Sequence, residues 1–190
     1  MTYRKLSDLL PDEIRAARDY GSDSTHHHNL AQRSRAANMF PGFGEFMGKA
    51  RTAAPALSMA TTRFELTDPL TVYSGFGWGI AAVGSLHADP LSALVGLTYR
   101  YPGHISTSTS RETAESFAEK GWQLKGDRPV LLVINLPAGF TVLPMKELGA
   151  DSSHENEMLL DRNLAFRIDA ASATKIADIE EDVLELTLAP

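Results

Sequence analysis

Glu155 and Glu157 stand one residue apart and run straight into Met158-Leu159-Leu160. Earlier in the chain the stretch PGHISTSTSRETAESFA, residues 102–118, sets five hydroxyls in a row, Ser106 to Ser110. In a strand the two glutamates share a face. Like charges that close either look into solvent or line a site where repulsion and burial adjust their proton affinity for chemistry. The hydroxyls also have two readings. Thr109 and Glu112 have the spacing of a capping box, with Thr109 as N-cap of a helix whose apolar face is Ala114, Phe117 and Ala118. A cap uses one hydroxyl, however, and an extended run from Ile105 to Ser108 puts Ser106 and Ser108 on one face and Thr107 on the other. Ser106 is therefore open to a functional role, and on local pattern alone both readings stand.

Such groups need elements to hold them. Residues 6 to about 60 carry Leu, Ile, Ala and Met at helical spacing, and Ser7 is placed to cap a helix with Leu9, Leu10 and Ile14 on one face and Pro11 in its opening turn. A turn follows at Tyr20-Gly21-Ser22-Asp23. Beyond Asp68-Pro69 the pattern changes. Leu70 to Tyr73 reads as a strand, and Val130 to Leu136, closed by Pro137, reads as a buried one. Phe166 and Ile168 alternate with Arg167 and Asp169, and Leu184, Leu186 and Leu188 with Glu185 and Thr187, which predicts two half-buried strands. The expectation is a single domain over 1–190, with a helical lobe over 1–68 and a β core over 69–190.

Composition narrows the classes of function. A chain of 190 residues, 43% apolar and 22% charged, can bury a sizeable core. A net charge of −6 argues against a broad phosphate-backbone footprint, so nucleic acid is not expected as a partner. With no cysteine there is neither a disulfide framework nor thiol chemistry. The opening stretch lacks the uninterrupted apolar core of a secretory signal, and no run approaches membrane-spanning length. The expected place of action is the cytoplasm, the producing cell's or a host's, with no membrane partner. His26-His27-His28 does not predict a metal site, because adjacent histidines cannot all point one way and no further ligands complete a shell. Gly77-Trp78-Gly79-Ile80-Ala81-Ala82 fits a loose dinucleotide fingerprint. Its context fails: no acidic residue lies about twenty positions on, Pro90 interrupts the helix region, and no alternating strand–helix series follows. Gly75, Gly77 and Gly79 instead predict a sharp turn after the strand. Trp78 and Trp122 read as packing residues.

In order and spacing, Ser106-Thr107-Ser108, the Ala-x-x-Phe-Ala helix face, the apolar strand ended by Pro137 and Glu155-x-Glu157 together resemble the mono-ADP-ribosyltransferase family, in its Arg, Ser-Thr-Ser, Glu-x-Glu branch of toxin or phage type. Tyr20-Gly21-Ser22, Asn29-Leu30 and Arg33 resemble that family's helical pattern more weakly. The resemblance implies an α+β fold, a helical N-terminal lobe on a mixed β core of two facing sheets with NAD in the central cleft. It implies a transferase that moves ADP-ribose from NAD, its substrate, to a protein acceptor and releases nicotinamide. Glu157 would stabilise the oxocarbenium-like ribose, Ser106 would hold Glu157 by a hydrogen bond across adjacent strands, and Glu155 would orient or deprotonate the nucleophile. In the family a glutamate at that position goes with arginine as acceptor. Thr107 and Ser108 would shape the nicotinamide-ribose pocket, and the loop Lys146 to His154 would face the acceptor protein.

One element departs from the family's pattern. Its first core strand carries an aromatic residue, an arginine that grips NAD, and glycine; here Tyr73-Ser74-Gly75 puts serine at the middle of these cofactor-binding positions. Serine supplies neither the charge nor the fork of a guanidinium toward a pyrophosphate. Arg63 and Arg100 are the substitutes suggested by nearness in sequence. Two alternatives follow: a non-enzymatic relative that keeps the fold and binds a partner or nucleotide, and an NAD glycohydrolase with water as acceptor.

Overall fold

The computed structural model describes residues 2–21, 53–77, 90–101, 103–122, 129–148, 156–176 and 183–190. A short strand β1 (Tyr3–Lys5) pairs antiparallel with β2 (Phe64–Leu66), and between them lie helix α1 (Pro11–Tyr20) and helix α2 (53–61). The remaining strands are β3 (Leu70–Gly77), β4 (Thr98–Tyr101), β5 (Ile105–Ser108), β6 (Pro129–Leu136), β7 (Leu143–Pro144), β8 (Glu157–Leu160), β9 (Leu164–Thr174) and β10 (Val183–Ala189). Helix α3 (Arg111–Trp122) follows β5. These eight strands form one hydrogen-bonded order, β4-β9-β10-β6-β3-β5-β8-β7, antiparallel except for the parallel pair β10–β6. The architecture is α+β with a mixed sheet.

The sheet curls on itself, and one contact measures how far. Four strand steps separate β3 from β4, about 19 Å in a flat sheet at the usual spacing. The Phe76 and Tyr101 rings nevertheless lie 6.4 Å apart, so the two halves of the sheet face each other. Between them lies the main core, with Val72 and Phe76 from β3, Leu132 and Ile134 from β6, Phe166 and Ile168 from β9 and the three leucines of β10. The alternation read in β9 and β10 sends these side chains inward. β6 is apolar from Val130 to Ile134 because its other face is covered too over that stretch, with Leu131 against Ala114 of α3; Asn135, beyond it, is exposed. A second core joins Ala16, Ala17 and Tyr20 of α1 to Leu57 and Ala60 of α2 and to Leu143, Met145 and Leu159.

Four local expectations are corrected. Helix α1 begins at Pro11, with Leu10 rather than Ser7 at the cap position; the Leu10 N–H donates to the Glu13 carboxylate at 2.9 Å, while the Ser7 hydroxyl accepts from Arg63. Helix α3 is capped by Ser110, whose hydroxyl accepts the Thr113 N–H at 3.2 Å, and Thr109 is exposed. Gly75 marks no turn, since β3 stays paired with β6 through Gly77. Gly75 is required because α3 crosses over it: a Cβ there would overlap the Ala114 carbonyl oxygen and come within 2.7 Å of the Ala118 nitrogen. On α3, Ala114 and Ala118 are buried as the helix pattern predicts, but Phe117 is 40% exposed. Among the described residues no helix is long and apolar enough to cross a membrane.

Candidate functional site

Strands β5 and β8 run antiparallel with Ser106 opposite Leu159 and Ser108 opposite Glu157. Facing residues share a side of the sheet, so Ser106, Ser108, Glu157 and, through the Tyr73–Ser108 pair, Tyr73 all look the same way. Across the diagonal of this ladder the Ser106 hydroxyl donates to Oε1 of Glu157 at 2.5 Å. Glu157 is 4% exposed. A carboxylate removed from water and given a fixed donor is held in one orientation.

Entry into β8 is a sharp corner. Asn156 adopts φ 51°, the left-handed region that asparagine tolerates better than most residues, and its carbonyl accepts the Thr109 N–H at 3.4 Å. The extended alternation therefore begins at Glu157. Glu155 lies outside the described residues, as do His26-His27-His28, Ser22, Asn29, Leu30, Arg33, Trp78, Gly79 and, of the expected acceptor loop Lys146 to His154, residues 149–154. The Trp122 side chain is likewise outside them. Among the described residues no group of three or more His, Asp or Glu could hold a metal.

The other expected binding residues divide by face. Thr107 is buried on the side away from Glu157, where its hydroxyl donates to the Met158 carbonyl at 2.5 Å. Ser74, on the core side of β3 and 8% exposed, donates to the Ser106 carbonyl at 2.8 Å. Ser108 accepts the Ser110 N–H at 3.0 Å, a turn that leads into α3. Gly75 lies under α3. Of the five hydroxyls in a row, Ser106 holds the carboxylate, Thr107 ties the ladder, Ser108 shapes the turn and Ser110 caps the helix. Of the two arginines suggested by sequence nearness, one is engaged elsewhere and the other is exposed. Arg63 donates to both Glu13 oxygens, at 2.7 and 3.1 Å, and Arg100 is exposed on β4, turned away from the core side that buries Tyr99 and Tyr101.

Comparison with known proteins turns this geometry into an identity. Residues 45–189 match the family described as ADP-ribosyltransferase exoenzyme. The chain belongs to that family. It is an NAD-dependent ADP-ribosyltransferase, with NAD as substrate, related to bacterial mono-ADP-ribosyltransferase toxins. Among solved structures it is similar to the ADP-ribosyltransferase Vis of Vibrio splendidus, with TM-score 0.70 and 20% identity, over 97% of this chain and 76% of that one. It is also similar to Plx2a of Paenibacillus larvae, with TM-score 0.64 and 18% identity, over 95% of this chain and 86% of that one. An ADP-ribosyltransferase from Clostridium botulinum matches with TM-score 0.64 and 13% identity, over 96% of this chain and 88% of that one. Comparison with curated protein sequences finds no match.

Sequence reasoning missed one group. His104 directly precedes β5 and Asp161 directly follows β8, so the antiparallel register brings them face to face at the end of the ladder that carries Ser106 and Glu157. His104 is fully buried, with Nε2 3.5 Å from Oδ1 of Asp161 and 3.4 Å from the Ser58 hydroxyl of α2. Burial is the largest influence on the Asp161 carboxyl and pushes its pKa up. The bonds from His104, Ser58 and the Arg162 N–H outweigh it and hold the carboxyl below its ordinary range. The signal was in the flanks: a histidine just before one strand and an aspartate just after its partner.

Proposed function

We propose that this chain transfers ADP-ribose from NAD to an arginine side chain of a protein acceptor, with release of nicotinamide. The observation that carries the reading is the buried Glu157 carboxylate fixed by Ser106. As the bond from ribose to nicotinamide breaks, positive charge grows on the ribose. A carboxylate already oriented stabilises that charge without reorganising. Glu157 fills this role, Ser106 sets its orientation, and Tyr73 and Ser108 on the same face line the nicotinamide-ribose pocket. Thr107, Ser74 and Gly75 contribute to NAD binding through the position of the strands and of α3. Glu155 orients or deprotonates the incoming guanidine. The arginine acceptor is further supported by the Vis structure in complex with agmatine, a guanidinium compound, in a protein of the same fold.

The test is nicotinamide release from NAD with and without agmatine, for the natural chain and for Glu157→Ala. Release stimulated by agmatine and abolished by the substitution is expected. Release that agmatine leaves unchanged would replace the arginine transferase with an NAD glycohydrolase. Glu155→Gln is expected to remove the stimulation and keep the basal hydrolysis.

A further inference from the structure

We propose that His104 is a positioning residue for Glu157, acting with Asp161 and Ser58 as a buried clamp that fixes the end of the β5–β8 ladder and joins it to the helical layer. The ladder that aligns Ser106 with Glu157 has little backbone support. β5 and β8 share four registered pairs, β5 shares one with β3, and β8 shares two with β7. A contact on the diagonal of so short a ladder depends on register, and a slip of one residue would turn Ser106 away from the carboxylate. The ladder is tied at one end by the Thr109 N–H to the Asn156 carbonyl and in the middle by Thr107 and Ser74. At the other end the tie is the imidazole. With its proton on Nε2, His104 shares that N–H between Asp161 and Ser58, while the Arg162 N–H anchors Asp161 at 2.7 Å.

The same ring reaches the helices. Ser58 belongs to α2, and the Tyr20 ring at the end of α1 stands edge-on to His104 at a centroid distance of 6.3 Å. α1, α2, β5 and β8 therefore meet at one side chain. An enzyme's rate falls steeply when a reacting group moves by a fraction of an ångström, so a tie that touches no substrate still acts on the rate constant.

The inference rests on the proposed nicotinamide release, with Glu157→Ala as its control, and the variants are His104→Leu, His104→Gln and Asp161→Asn. For His104→Leu, measured where it is folded, kcat is expected to fall about tenfold or more with KM for NAD within about twofold of the natural value. His104→Gln, whose amide nitrogen reaches close to the Nε2 position, is expected to recover most of kcat. Asp161→Asn should reproduce the loss and add nothing to His104→Leu. A folded His104→Leu with natural kcat would overturn the inference, as would a rise in KM alone or a loss that glutamine does not rescue. If the leucine variant does not fold, Asp161→Asn decides, since its side chain is a third exposed; unchanged kcat there also overturns the clamp. If the natural chain releases no nicotinamide, the activity reading fails by itself. Amide exchange then judges the clamp: faster exchange at Ser106 and Glu157 in His104→Gln or Asp161→Asn than in the natural chain supports it, and unchanged exchange refutes it.

Discussion

The hydroxyl of Ser106 meets Oε1 of Glu157 at 2.5 Å along the diagonal of the β5–β8 ladder, not between facing positions. A hydrogen bond to a charged group is worth about 1.5–3 kcal/mol, so Ser106→Ala is expected to lower kcat for nicotinamide release about tenfold to a hundredfold. In a Glu157→Gln background the same change should have no further effect, because the group it orients is already lost. Steady-state kinetics on the four proteins of this cycle check both statements. Equal losses from Ser106→Ala in the two backgrounds would show that the serine acts on something other than the carboxylate.

Gly75 is the point where α3 lies directly on β3. A methyl group there overlaps the Ala114 carbonyl oxygen, and the obstacle is helix backbone that cannot rotate aside. Gly75→Ala is expected to destabilise the fold by about 1–3 kcal/mol or more, read as a fall in Tm or in the denaturant midpoint. Gly139, with φ +84° and open space where a methyl group would go, gives a contrasting case in which backbone strain alone is felt. A Gly75→Ala variant as stable as the natural chain would mean that the helix rides higher on the sheet.

The strands were readable because burial imposes a period. Phe166 and Ile168, and Leu184, Leu186 and Leu188, alternate because one face of each strand fills the core, and β6 is apolar from Val130 to Ile134 because α3 covers its second face there. The Ser106–Glu157 pairing followed from a resemblance in order and spacing, which carries long-range register that no local pattern contains. Caps were less legible. Thr109 and Ser110 are chemically equivalent candidates one residue apart, and the start of α3 is set by the turn that Ser108 makes with the Ser110 N–H. The His104–Asp161 contact was invisible for a related reason: each residue is ordinary alone, and only the antiparallel register brings the two together.

The ion pair of Glu13 with Arg63 makes a prediction about acid. Bonds from Arg63 are the largest influence on the Glu13 carboxyl; together with the Leu10 N–H and the nearby positive charge they outweigh burial and hold its pKa below the ordinary value of 4.5. With the folded-state value depressed, the stabilisation is complete above the unfolded value and is lost as pH falls through the folded one. Thermal melts from about pH 6 down to about pH 3 are expected to show the natural chain losing more Tm than Glu13→Gln, the gap between them closing as pH falls. A gap that stays constant across the range would show that Glu13 acts through packing and not through its charge.

Ser74 stands where the family resemblance puts an arginine, and its hydroxyl donates to the Ser106 carbonyl on the next strand. Because β3 and β5 share a single registered pair, this bond is a main link between the strand of Tyr73 and the strand that orients Glu157. Ser74→Ala removes one neutral hydrogen bond, about 1 kcal/mol, and is expected to lower kcat about fivefold with KM for NAD unchanged. If Ser74 instead touches NAD in place of the guanidinium, KM rises and kcat holds. The two results assign the residue differently: the first makes it a tie between strands and requires that the cation for the NAD phosphates come from another part of the chain, and the second makes it part of the NAD site itself.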